Sequence, residues 1–205
     1  MTLPRTALIT ATVLSLLIAL SSYRFLALGL PMSFPEMLGQ IESRRLAFIL
    51  HISLAPVALV IGSLQFYPGL RQSRKALHRL LGRIYGVAIL LSGAAGFYVA
   101  LGAEGGPVAQ VGFALLAVLW VVVTANAVRH AIARRIGQHR RWMIYSFALT
   151  FAGVTLRLYL LGFIAAGMSY TEASPYLAWL CWLPNLGFAY WWLNLRAKTP
   201  TGRQR

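Results

Sequence analysis

The chain has 205 residues, of which 59% are hydrophobic and 11% are charged, and its formal net charge at pH 7 is +15. Soluble domains carry about 25% charged residues, so this composition excludes an ordinary soluble protein. The long, repeated apolar runs indicate a polytopic membrane protein instead. A high positive charge is also typical of nucleic-acid-binding proteins. Here the basic residues cluster in the loops between apolar runs, as in membrane proteins, so we expect no nucleic-acid partner.

Six apolar runs are long enough to cross a bilayer, which takes about 20 residues at a rise of about 1.5 Å each. We therefore predict an all-α fold, a helical bundle of about six transmembrane helices that forms one domain over residues 1–205. Residues 199–205 are expected to be a flexible basic tail. The predicted spans are Ala7–Leu30, Leu46–Leu70, Leu80–Leu101, Val108–Val128, Trp142–Ala166 and Tyr176–Leu195.

Small residues four apart mark the third span. Gly82 with Gly86, and Ser92 with Gly96, have the spacing that lets helix backbones approach closely. We therefore expect this span to lie at the centre of the bundle.

The charged residues separate by side of the membrane. Arginines and lysines cluster between spans two and three, between spans four and five, and at both termini, whereas the four acids Glu36, Glu42, Glu104 and Glu172 fall on the opposite side. This positive-inside pattern predicts a multi-pass protein of the cell inner (plasma) membrane with both termini in the cytoplasm. The basic loops would then face anionic lipid head groups. The basic ends of the helices are called inner and the acidic ends outer below.

Polar residues within the spans fall into layers when they are placed by depth. His51 and Arg157 share an outer layer, and helical periodicity gives spans two, three and five one polar stripe each. These stripes predict one cavity framed by spans two to five. The predicted cavity-lining residues are Gln65, Tyr85, Asn126 and Thr150, and the predicted cofactor-binding residues are His51, His78, His139 and Arg157.

Arg157 poses the sharpest question in the sequence, because no acid lies within its own span. A charged side chain at such a depth costs at least about 2.5–3.5 kcal/mol on insertion scales. Three solutions remain open: a loop glutamate folds back onto it, backbone carbonyls satisfy it, or it binds an anion that the chain does not supply.

The histidines suggest redox chemistry. Imidazole can ligate haem iron, bind a metal, carry a proton or bond to a quinone carbonyl. A weak internal repeat, in which His78 matches His139 sixty-one positions later, suggests a pseudosymmetric ligand pair. The single cysteine, Cys181, allows neither a disulfide nor a cysteine metal site within the chain, and we predict no dedicated metal-ion site.

Our first functional hypothesis is a membrane redox component that binds b-type haem or quinone and passes electrons to a membrane redox partner. In it Arg157 pairs with a propionate or another anion. The alternative is a binding or transport protein for a lipid or amphipathic anion, or an accessory subunit of a membrane complex. No motif of a known reaction class is present, so the sequence leaves open whether the protein is an enzyme.

Four groups of residues resemble an uncharacterised bacterial membrane-protein family, domain of unknown function 2306 (DUF2306). They are His51 with Gln65-Phe66; His78-Arg79 with Gly82-Arg83 and Tyr85; His139-Arg140-Arg141-Trp142-Met143; and Leu156-Arg157. The resemblance covers a core of about 46–166. It implies a multi-span bacterial membrane protein in which these histidines and Arg157 are the marked positions, and it implies no reaction.

Overall fold

The structure, a computed structural model, describes residues 4–198, with side chains described as far as residue 195. Within these residues the secondary structure is helical, with no strand. The helices are α1 (Arg5–Ser22), α2 (Phe25–Ser33), α3 (Leu38–Ser43), α4 (Arg45–Leu64), α5 (Pro68–Ser73), α6 (Lys75–Ala100), α7 (Gly106–Ile132), α8 (Ile136–Thr150), α9 (Ala152–Ala165), α10 (Tyr170–Leu180) and α11 (Leu183–Lys198).

Five helical segments of the described chain are long and apolar enough to cross a membrane. They are α1, α4, α6, α7, and α8 with α9 taken together as Ile136–Ala165. The all-α, multi-pass membrane architecture is therefore confirmed. The predicted sixth span consists of two shorter helices, α10 and α11, so a sixth crossing and the cytoplasmic placement of the termini stay predictions.

Two predicted spans end earlier than their apolar runs do. The first was expected to reach Leu30, but α1 ends at Ser22, where the Tyr23 N–H turns back to the Leu20 carbonyl. Gly29 then takes a positive φ of 75° within α2, which an L side chain would oppose. The second span ends at Leu64 rather than Leu70, because Pro68 begins the separate helix α5.

The fifth span is broken near its middle, which the sequence did not predict. The α8 helix ends at Thr150, and the Val154 N–H bonds to the Phe151 carbonyl in a tighter turn before α9 continues. No proline stands at the break, so periodicity alone indicated one helix. Residues before and after the break face different neighbours, since α8 packs on α7, α11 and α4 whereas α9 packs on α10 and α1.

Four helices form a closed ring at the centre of the bundle. Helix α6 packs on α4 and α7, α7 packs on α8, and α8 contacts α4. Helix α1 lies outside against α4 and α9, while α10 covers α7 and α9, and α11 covers α8. In this order α4 lies opposite α7 and α6 opposite α8, as a two-fold axis relating hairpins α4–α6 and α7–α8 requires. The ring order therefore supports the internal repeat.

The close helix contacts of α6 lie in its outer half. A Cβ added at Gly93 would lie 2.5 Å from Val121 Cγ2 on α7, and one added at Gly96 would lie 2.7 Å from Nδ1 of His51 on α4. At Gly82 and Gly86 the nearest atoms would be 3.7 Å away. Helix α6 is one member of the ring, but Leu80, Val87 and Leu90 are exposed on its outer side, so its expected place at the centre of the whole bundle is not confirmed. The Gly82–Gly86 pair is also not where the backbones approach most closely.

Candidate functional site

The inner end of the ring brings together two histidines on opposite helices. His78 lies in the first turn of α6 and His139 in the first turn of α8, and they are close enough to interact electrostatically. His139 Nδ1 lies 2.9 Å from the Ala127 carbonyl oxygen, which can only accept, so Nδ1 carries the proton. Its Nε2 therefore keeps a lone pair. This inner histidine pair is the closest match in the structure to the predicted ligand pair.

Polar and charged groups surround the inner histidine pair. Gln65 Nε2 donates to the His78 carbonyl oxygen at 3.1 Å, while Gln65 Oε1 and His78 Nδ1 are buried without a hydrogen-bond partner. Arg71 and Arg140 lie near each other, and partial burial together with the charge of Arg140 lowers the pKa of Arg71 below its usual range. The inner end thus combines imidazoles, unsatisfied buried polar atoms and cations.

A hydrogen-bonded network fills the middle of the ring. The Tyr85 hydroxyl, on a side chain only 1% exposed, lies 2.8 Å from the hydroxyls of both Ser146 and Thr150. Trp120 Nε1 donates to the Thr150 hydroxyl at 2.8 Å, and the Thr124 hydroxyl lies 2.7 Å from that of Ser146. We call these five residues the central network. It joins α6, α7 and α8 across the axis of the ring.

The directions of these hydrogen bonds follow because each hydroxyl has one proton to donate. Thr150 donates its one hydroxyl proton to the Ser146 carbonyl, so it accepts from both Trp120 and Tyr85. Tyr85 then accepts from the Ser146 hydroxyl. Tyr85 and Thr150 were predicted to line a cavity, and the structure shows them saturated by their neighbours.

The outer layer contains His51, held by α6. Its Nδ1 donates to the Ser92 carbonyl oxygen at 3.0 Å, and the Ser92 hydroxyl donates to the His51 carbonyl at 3.3 Å. Gly96 leaves room for the imidazole ring, because a Cβ at this position would lie only 2.7 Å from His51 Nδ1. His51 Nε2 makes no hydrogen bond with the described residues and is free to accept one.

Arg157 donates to a backbone carbonyl and to a hydroxyl, and not to a glutamate. Its NH1 donates to the Gly153 carbonyl at 2.8 Å and its NH2 to the Ser22 hydroxyl at 3.0 Å. No carboxylate of the described residues forms an ion pair with it. The nearby charged or titratable side chains are Arg24 and Tyr170, and the charge of Arg157 also reaches His51. The shared outer layer was predicted from depth, but Arg157 faces α1 and not the interior of the ring.

The remaining predicted residue, Asn126 on α7, is half-buried and makes no hydrogen bond within the described part of the chain. Two open apolar grooves lie on the outside of the described chain, one between α4 and α6 and the other between α1 and α4. Within residues 4–198, no group of three or more histidine, cysteine or acidic side chains gathers to hold a metal ion. The single cavity therefore stays a prediction, and the polar residues form three separate layers.

Sequence reasoning missed several partners in these layers. Ser22 is the last residue of α1 and Arg24 lies in the turn that follows, and neither carried a signal in the sequence beyond composition. Trp120 lies within an apolar run, and nothing in the sequence distinguishes it there. The repeat offset could have identified Ser146, because it is the exact counterpart of Tyr85 sixty-one positions later and bonds to it.

The fold and these layers define a multi-pass membrane protein with a ring of four helices and polar side chains at three depths. A family model described as Predicted membrane protein (DUF2306) matches residues 48–193, more than two thirds of the chain. The chain belongs to this family, and the match extends past the core of 46–166 into α11. No curated protein and no solved structure matches the chain.

Proposed function

We propose that this protein is a membrane redox component that binds b-type haem through the inner histidine pair. The observation that carries the proposal is the hydrogen bond from His139 Nδ1 to the Ala127 carbonyl, opposite His78. Histidines that ligate metals usually donate their second ring nitrogen in this way, which fixes the tautomer and makes Nε2 more basic.

The donor chemistry at the inner end fits a haem. His78 and His139, on opposite helices of the ring, would supply the two imidazoles, a ligand type that haem iron accepts. Arg71 and Arg140 supply guanidinium groups that could bind propionates bidentately. The buried, unpartnered Nδ1 of His78 marks a position whose hydrogen-bonding capacity the chain itself leaves unused. When bound, the haem would supply one-electron transfer.

The proposed setting is the inner (plasma) membrane of a bacterium, with a membrane redox partner. The positive-inside charge pattern supports this placement, and the family model supports a membrane protein. The inner histidine pair would then lie near the cytoplasmic face, beside loops that attract anionic head groups.

A reduced-minus-oxidised absorption spectrum of protein purified from haem-replete cells tests the haem proposal. We expect a Soret band that is lost in both His78→Ala and His139→Ala. His130→Ala is the matched control, since His130 lies at the inner end of α7 outside the pair, and it should keep the band. Colourless wild-type protein would reject haem binding.

Quinone is the second redox cofactor that we propose, and His51 is its best partner. The free Nε2 of His51 lies on a ring that the Ser92 carbonyl holds in place, so a protonated quinone oxygen could bond to it. Extraction of purified protein should then yield quinone from wild type and less from His51→Ala. Equal yields from the two proteins would remove His51 from quinone binding.

A second candidate function is the binding or transport of a lipid or amphipathic anion, which an accessory subunit of a larger complex could also perform. The observation that favours it is Arg157, a cation without a carboxylate in a membrane-spanning segment. It concerns the outer layer, so it does not depend on the haem proposal.

A further inference from the structure

The outer end of α1 gathers positive charge without a carboxylate to balance it. Arg157 on α9 donates to the Ser22 hydroxyl, and Arg24 in the turn after α1 donates to the carbonyl of the adjacent Ser21, so the two cations meet at the same end of α1. Both guanidinium groups are held by backbone carbonyls and a hydroxyl. Arg24 donates to the carbonyls of Ser21 and Ser33 and lies over the Phe34 ring, 4.7 Å from its centre.

The orientation of Arg157 is fixed, yet most of its donors are unused. A guanidinium group has five N–H donors, and Arg157 uses one on NH1 and one on NH2. The other three have no partner among the described residues. Ser22 in turn donates its own hydroxyl proton to the Ile18 carbonyl at 2.7 Å, so it accepts from Arg157 without needing that bond. Arg157 is therefore positioned for a further acceptor and is not required to satisfy its neighbours.

The end of α1 compensates only part of this charge. The carboxyl end of a helix carries a partial charge of about −0.5, which favours nearby cations. Two guanidinium groups bring two positive charges to that end. The excess calls for an anion, and phosphate is the anion whose oxygens match guanidinium groups bidentately.

The surrounding surface is apolar, which points to a ligand with lipid chains. Leu20 is 71% exposed on α1 and Leu161 is 64% exposed on α9, one turn beyond Arg157. Helices α1 and α9 contact each other over a short stretch only, so lipid can approach between them. We propose that Arg157 and Arg24 together hold the phosphate group of a membrane phospholipid at the outer end of α1. This inference gives the second candidate function its ligand.

The test is the thermal unfolding of the purified full-length chain in detergent. Dioleoyl phosphatidic acid is compared with dioleoylglycerol, which has the same acyl chains without the phosphate, and with inorganic phosphate and oleate. The variants are Arg157→Met and Arg24→Gln. Arg45→Gln is the matched control, because Arg45 is an exposed arginine at the outer end of α4. The basic inner loops are unchanged in all variants, so their attraction for anionic lipid is a constant background.

We expect phosphatidic acid to raise the melting temperature of wild type more than dioleoylglycerol does. Arg157→Met and Arg24→Gln should each lose at least half of that difference, and Arg45→Gln should keep it. Without lipid, Arg157→Met should melt no lower than wild type, since its removal leaves no orphaned acceptor. If Arg157→Met does not accumulate, the melting temperature of Arg24→Gln with phosphatidic acid still tests the site.

An undiminished phosphatidic acid effect in Arg157→Met and Arg24→Gln would overturn the site. Equal stabilisation of wild type by inorganic phosphate would keep the phosphate site but overturn its assignment to lipid. If only oleate acts through Arg157, the phosphate inference fails while the second candidate function survives. None of these outcomes bears on the Soret band, so the haem proposal is judged separately.

Discussion

Thr150 is the residue on which the central network depends. It accepts from the Tyr85 hydroxyl and from Trp120 Nε1 and donates to the Ser146 carbonyl, all within the ring. A buried donor without a partner costs about 1–3 kcal/mol, whereas an intact hydrogen bond contributes about 0.5–1.5 kcal/mol net. Which partner is removed therefore matters more than how many bonds are lost.

Two substitutions separate these costs. Thr150→Val keeps the shape of the side chain but leaves the Trp120 indole N–H without an acceptor, so it should lower the free energy of unfolding by about 1–3 kcal/mol. Tyr85→Phe should cost only about 0.5–1.5 kcal/mol, because Ser146 can turn its hydroxyl to Thr124 and Thr150 keeps its bond from Trp120. Reversible unfolding in mixed detergent measures both. A larger cost for Tyr85→Phe than for Thr150→Val would contradict the assigned directions.

At the residue scale, depth was predictable and partners were not. Counting residues along two spans placed His51 and Arg157 in one layer, and the structure places them within electrostatic range. The rotation of each helix and the rotamer of a long side chain decide the partner, and neither follows from spacing. Arg157 folds back to the Gly153 carbonyl and reaches the Ser22 hydroxyl, so of the three solutions that the sequence left open the structure shows a backbone carbonyl as a partner and no glutamate.

At the scale of the helix, α6 shows where small residues are needed. Gly96 stands against the His51 imidazole, while Gly86 has only ordinary space beside Val128. Both positions fit the small-residue spacing in the sequence, so that spacing could not distinguish a tight contact from a loose one. The difference comes from how α4 and α7 cross α6.

Alanine at these two glycines should therefore have opposite effects. Gly96→Ala forces the His51 ring away from the Ser92 carbonyl, and overpacking of this kind costs about 1–3 kcal/mol. Gly86→Ala should be neutral or stabilising, because alanine favours a helix by up to about 1 kcal/mol over glycine. The melting temperatures of the two variants in the same detergent check this prediction. If Gly86→Ala is as damaging as Gly96→Ala, the contact distances do not determine the tolerance of α6.

The start of α10 contains the one carboxylate with a defined structural role. Ser169 caps the helix through its hydroxyl, and Glu172 accepts from the Ser169 backbone N–H at 2.8 Å in a capping box. The hydrogen bonds from the Ser169 backbone N–H and hydroxyl lower the pKa of Glu172 below its ordinary value of 4.5. The ionised form is thus favoured in the folded protein.

This shift predicts a stability difference that depends on pH. A carboxylate with a lowered pKa stabilises the fold above its unfolded pKa, here 4.5, and loses that contribution as pH falls through the lower folded value. Glu172→Gln keeps an acceptor in the capping box but cannot titrate. The melting temperature of wild type relative to Glu172→Gln should be constant from pH 7 to pH 5 and should fall below pH 4.5. A difference that stays constant from pH 7 to well below pH 4.5 would show that the capping box does not favour the carboxylate.

On the scale of the whole molecule, the apolar runs predicted six spans, and five helical segments of the described chain are long and apolar enough to cross a membrane. The break at Phe151 lies in an unbroken apolar run, so hydropathy gave one span where two helices face different neighbours. As a result the sequence grouped Arg157 with Thr150 on a single face, and the structure separates them. The three polar layers could be expected from depth, but the different neighbours of α8 and α9 could not.

The last two helices decide whether the chain crosses the membrane a sixth time. Helix α10 has 11 residues and α11 has 16, and each alone is short of the roughly 20 residues that a crossing requires. A break within the bilayer is tolerated when the freed carbonyls find partners. The Cys181 carbonyl at this break accepts from the Thr155 hydroxyl and from Asn185 Nδ2. The carbonyl freed at the break is therefore hydrogen-bonded within the protein, as a carbonyl inside a membrane must be. This favours one interrupted crossing by α10 and α11.

An interrupted sixth crossing predicts that the end of the chain lies on the same side as the basic loops. Alkaline phosphatase fused after Gly105 or Gly167, in the turns at the outer ends of α6 and α9, should be active because it reaches the periplasm. Fused after Arg205 it should be inactive, while green fluorescent protein at the same position should fluoresce. The basic residues Arg196 and Lys198, which follow the aromatic residues of α11, favour this orientation through the positive-inside rule. Active phosphatase after Arg205 would show that α10 and α11 do not cross, and the protein would then have five spans.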